Sequence, residues 1–83
     1  MEIVLLKQPI KYMAKSTNKV YNKLNKALSG LENWKGDIKR LEGRKDEYRL
    51  KMPPYRIIFS YIKGSNVITV TKIDTRGDAY KKG

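Results

Sequence analysis

Arg49 and Lys51 stand two residues apart in the run Tyr48-Arg49-Leu50-Lys51-Met52, and Arg56 follows closely in Pro54-Tyr55-Arg56. In an extended chain successive side chains alternate faces, so Arg49 and Lys51 project together while Tyr48, Leu50 and Met52 turn the other way. Arg76 comes later, in Arg76-Gly77-Asp78-Ala79-Tyr80. Cations fixed on a rigid sheet can neutralise a phosphate and the extra charge of its pentacovalent transition state. Arginine adds a bidentate fork to phosphate oxygens. Tyr80 is the side chain near this set able to exchange a proton with a sugar hydroxyl, or to stack on an unpaired base. The same cations also fit a solvated strand face, and Tyr80 alone fits a packed terminal tyrosine.

Composition narrows the chemistry. The chain has no histidine and no cysteine, which removes a histidine-based ribonuclease, thiolate catalysis and the usual zinc sites. Asp37, Asp46, Glu47, Asp74 and Asp78 lack the spacing of a metal loop, and no phosphate-cradling glycine loop is present. No metal or other cofactor is therefore expected. Nineteen Lys+Arg against eight Asp+Glu give a net charge of +11. A field of that sign favours polyanions, with nucleic acid first, an acidic protein second and an anionic membrane surface third. No apolar run approaches the roughly 20 residues of a membrane helix, and the start lacks the features of a secretory leader. A cytoplasmic protein is expected.

Lys7, Lys11, Lys15, Lys19 and Lys23 recur every four residues, with no acid between Glu2 and Glu32. Like charges at that spacing cost a helix about 0.2–0.5 kcal/mol per pair. A stripe kept at that cost suits sequence-blind phosphate contacts, although an ordinary soluble helix face fits it equally well.

These residues need a scaffold, and 83 residues suffice for one domain, 1–83, on a single core. The apolar run at 2–6 predicts a short buried strand. Pro9 suits the first turn of a helix reaching about Lys15, with Ile10, Met13 and Ala14 on one side. Ser16 or Thr17 can cap a second helix ending near Ser29-Gly30, and Val20, Leu24, Ala27, Leu28 and Leu31 keep helical spacing. Residues 34–37 read as a loop, and 38–43 as a surface segment tucking in Ile38 and Leu41. Strands are expected at 48–52, 55–62 and 67–73, with a turn at 63–66 and a tail from 74. The result is an α+β fold, β-α-α-β-β-β, with two helices on one face of a mainly antiparallel four-stranded sheet and the other face free.

Element order and motif spacing resemble the RelE/ParE superfamily of bacterial toxin–antitoxin toxins, over nearly the whole chain. The resemblance rests on Ile38-Lys39-Arg40-Leu41-Glu42-Gly43, Tyr48-Arg49-Leu50-Lys51, Tyr55-Arg56-Ile57-Ile58-Phe59 and Thr75-Arg76-Gly77-Asp78-Ala79-Tyr80-Lys81, in that order. It implies a RelE-like fold and an mRNA interferase: metal-independent cleavage in the ribosomal A site, by attack of a ribose 2′-OH on the adjacent phosphate. The strand pair of that family falls on Arg49 and Lys51, although well-known members carry lysine first. Its second-strand arginine falls on Arg56, its late arginine on Arg76 and its terminal tyrosine on Tyr80. By analogy Lys51 or Tyr80 activates the 2′-OH, and Arg56 and Arg76 stabilise the phosphorane. Many relatives have histidine before the late arginine, where this chain has Thr75. The implied partners are a RelB-like antitoxin, mRNA, and the ribosome with its 16S rRNA. RNA and ribosome contacts are expected from Lys7, Lys11, Lys15, Lys19, Lys23, Lys81 and Lys82. The alternative is a ParE-like DNA gyrase inhibitor that cleaves nothing, disfavoured by the short helices and the cationic set.

Overall fold

The computed structural model describes residues 1–75, in the order β1 (Glu2–Leu5), α1 (Lys7–Ala14), α2 (Asn18–Leu31), β2 (Asp37–Arg40), β3 (Glu47–Met52), β4 (Tyr55–Tyr61) and β5 (Val67–Thr75). The architecture is the expected α+β one, with a fifth strand added. The sheet runs β1-β5-β4-β3-β2. β1 is parallel to β5 and the other neighbours are antiparallel.

The second helix follows its apolar spacing. The Thr17 hydroxyl accepts from the Val20 N–H at 3.3 Å and caps the start. Leu24, Leu28 and Leu31 are buried. The helix runs through the Ser29-Gly30 signal because Leu31 is fully buried; packing outweighs the weak stop. Trp34, at φ 57°, then turns the chain. The first helix starts at Lys7, so Pro9 sits inside its opening turn, where a missing N–H costs little. Met13 is buried, but Ile10 is 53% exposed, contrary to its expected place on the packed side.

The core joins these helices to one face of the sheet through Leu50, Ile57, Phe59, Ile68, Val70 and Ile73. Tyr48, Tyr55 and Tyr61 pack against it. Trp34 closes one end with its ring edge-on to Tyr48 and Phe59, centroids 5.2 and 5.6 Å away.

Four local expectations are corrected. Segment 37–40 is a strand, β2, pairing Ile38 with Leu50 and Lys39 with Arg49. Only Ile38 turns inward among charged neighbours, so this short edge strand looks like surface loop in the sequence. The apolar run at 2–6 is not a buried strand: β1 is the opposite edge and Val4 is 37% exposed. β4 ends at Tyr61, leaving Ile62 64% exposed in the turn. β5 continues two residues past the expected Ile73.

That extension depends on two devices. A register shift falls between Ile58 and Phe59, where Ile58 faces Lys72 but Phe59 faces Val70. Thr71 is thereby the extra residue of a bulge. It lets Val70 and Ile73, three apart, both point into the core. Beyond Val70, β1 no longer accompanies β5. There the Gln8 side chain takes its place, donating from Nε2 to the Ile73 carbonyl at 2.9 Å and accepting the Ile73 N–H at Oε1, also 2.9 Å. One amide thus supplies both hydrogen bonds of a missing strand neighbour.

Candidate phosphate-binding face

The sheet face away from the helices carries the candidate site, and strand register lays it out as a grid. One row across the strands reads Asp37, Lys51, Arg56, Asp74; the next reads Lys39, Arg49, Ile58, Lys72. Arg49, Lys51 and Arg56 therefore meet on one face, as their two-residue spacing requires. Lys51 and Arg56 are direct cross-strand partners. Lys39 and Lys72 add flanking cations; Lys39 lies on β2, which reads in the sequence as a surface segment, and Lys72 joins this row beyond the register shift in β5.

Electrostatic detail differs among the three. The Arg56 Nε donates to Asp74 Oδ1 at 3.4 Å, and Lys72 Nζ lies 3.7 Å from Asp74 Oδ2. A single carboxylate thus bridges two cations of the face. The Arg49 Nε is shielded from water and has no hydrogen-bond partner among the described residues, a state that costs a donor roughly 1–3 kcal/mol. Beside these residues runs an open groove of about 520 Å³, walled by Leu41, Glu42 and Arg44 of the β2–β3 loop, Glu47, and Arg56, Ile58, Thr71, Lys72 and Asp74. Arg44 leans on Glu47 at 3.5 Å. Its lining sets three cations, Arg44, Arg56 and Lys72, against three acids, Glu42, Glu47 and Asp74.

Arg76, Tyr80, Lys81 and Lys82 lie outside the described residues. Thr75 ends β5, opposite Tyr55. The lysine stripe divides: Lys7, Lys11 and Lys15 line a separate cleft of about 480 Å³ with Gln8 and Tyr12, whereas Lys19 and Lys23 sit exposed on α2 beyond the Ser16-Thr17 break. Sequence reasoning missed Asp74, because β5 was expected to stop one residue short of it. The available signal was the spacing Ile68, Val70, Ile73, where a step of three breaks the alternation and marks a bulge.

No family model matches the sequence, and no curated protein does. Solved structures do. The isolated RelE toxin of E. coli superposes with a TM-score of 0.74 at 20% identity, covering 98% of this chain and 96% of that one. A chain of the RelE–RelB complex from Pyrococcus horikoshii gives 0.73 at 24% identity, covering 92% and 94%. A chain of the RelB–RelE antitoxin–toxin complex from Methanococcus jannaschii gives 0.71 at 18%, covering 95% and 96%. Two helices on one face of this mixed five-stranded sheet are thus the RelE fold.

Proposed function

We propose that this chain is the toxin of a toxin–antitoxin pair and acts as an endoribonuclease on mRNA in the ribosomal A site, without a metal. The observation that supports this most is the meeting of Arg49, Lys51 and Arg56 on the face of a RelE-like sheet that no helix among the described residues covers. In the proposed reaction the 2′-oxygen of a ribose attacks the adjacent phosphorus. The new O2′–P bond forms as P–O5′ breaks, leaving a 2′,3′-cyclic phosphate and a 5′-hydroxyl. Lys51 or Tyr80 takes the 2′-OH proton, and a protonated side chain of the face delivers one to the departing O5′. Arg56 and Arg76 hold the phosphorane oxygens, whose negative charge grows in the transition state.

The net charge of +11 suits two polyanionic partners, structured ribosomal RNA and an acidic antitoxin of the RelB type. The chains of similar structure include toxins solved in complex with RelB. No helix of the described residues is long and apolar enough to cross a membrane, and the proposed activity belongs in the cytoplasm.

Primer extension on mRNA in a purified translation system tests the proposal. Cuts spaced by codons are expected, falling by roughly 10²–10³-fold in Arg56→Ala, the range for removing one transition-state donor. A ribosome-free lane checks ribosome dependence, and chelator in the reaction checks metal independence. Intact mRNA together with blocked gyrase supercoiling would instead establish the ParE-like alternative.

A further inference from the structure

Asp74 is the acid of this face that joins two of its cations. Its two oxygens reach two different cations, Arg56 Nε at 3.4 Å and Lys72 Nζ at 3.7 Å. Its side chain is 25% exposed and that of Arg56 36%, so the carboxylate lies at the groove wall within reach of an entering anion. Asp37 ends the same row on the other side, next to Lys51, but makes no ion pair among the described residues. One acid of the row is engaged and the other is not.

We propose that Asp74 is a built-in competitor for the phosphate site: its carboxylate occupies the anion position between Arg56 and Lys72, and a backbone phosphate must displace it. The inference rests on reading this face as phosphate-binding. A single phosphate of a loose RNA replaces one anion by another and gains little. An RNA already held elsewhere on the protein or its partner presents its phosphate at high effective concentration, and displaces the carboxylate readily. Asp74 thereby sets a threshold that favours docked RNA over free RNA. Because Asp74 pairs through Nε, the terminal nitrogens of Arg56 remain to make first contact with the incoming phosphate.

The test is the binding of a fluorescein-labelled single-stranded RNA oligonucleotide, followed by anisotropy without ribosomes. Asp74→Asn is expected to bind roughly two- to fivefold tighter than wild type, the range for freeing exposed ion pairs. Asp37→Asn makes the same charge change on the same row and is expected to gain less than Asp74→Asn. The gain from Asp74→Asn should vanish in an Arg56→Ala background, since the competed cation is then absent. Equal gains at Asp37 and Asp74, or a gain that survives without Arg56, overturn the proposal. Weaker binding by Asp74→Asn also overturns it, and would make Asp74 a positioning residue for Arg56. Should Asp74→Asn fold poorly by circular dichroism, Asp74→Ser and Lys72→Ala, read in the same cycle, replace it. Absence of mRNA cutting with the coupling intact defeats only the proposed function; codon-spaced cutting without the coupling defeats only the competitor.

Discussion

Arg49 separates charge from donor geometry at the scale of one residue. Its Nε, shielded and unpartnered among the described residues, burdens the fold, while its charge adds to the cationic face. Arg49→Lys removes that donor and keeps the charge. Urea unfolding is expected to show a gain of about 1 kcal/mol, with mRNA cutting retained within roughly tenfold. Arg49→Met removes the charge as well; cutting is expected to drop by roughly 10²-fold, with stability no lower than in wild type. Gly36 is a second residue whose identity is dictated locally. It adopts φ +123°, and a Cβ there would lie 2.6 Å from Leu50 Cδ1. Gly36→Ala therefore combines backbone strain with overpacking at a core leucine. A loss of about 2–4 kcal/mol is expected in the same urea experiment.

Elements hold the face together, and β5 is the one that depends on help from outside the sheet ladder. Gln8 satisfies both backbone groups of Ile73, one residue before Asp74. Gln8→Glu places a carboxylate oxygen where the Nε2 donor faced the Ile73 carbonyl. A loss of about 1–3 kcal/mol is expected, larger than for Gln8→Ala, which lets water reach both groups. Hydrogen exchange at the Ile73 amide reads the local effect in either variant. Much of this scale was legible beforehand. The alternation at Tyr48 to Met52 and the paired prolines after it define β3, the turn and the placement of Arg49, Lys51 and Arg56. The four-residue spacing of Val20, Leu24 and Leu28 defines α2. What escaped notice was held by single contacts or by context. β2 has one inward residue, Ile38, so no period can reveal it. The β5 extension needs a bulge and a partner 65 residues away, neither of which is written in local propensity. Arg76 and Tyr80 remain motif assignments.

At the scale of the whole molecule, +11 net charge and two cationic surfaces predict salt-sensitive RNA binding. Each phosphate contact on single-stranded RNA contributes roughly 0.7 to the slope of log K against log salt. Replacing Lys7, Lys11 and Lys15 together by alanine is expected to flatten that slope by about 2 if all three engage phosphates. Anisotropy titrations across a salt series measure it, and an unchanged slope would remove the α1 cleft from the RNA-binding surface. The sheet order has a further consequence, for synthesis. β5 lies between β1 and β4, and pairs Glu2 with Val67. A chain growing from its N-terminus carries β1 without its strand neighbour among the described residues until β5 has been made. Contacts so distant in sequence also form slowly. Arg56 cannot meet Asp74 and Lys72 during that interval, so the nascent chain lacks the assembled cationic face. A partner that captures the protein as it is completed would meet it before that face has ever been exposed in finished form.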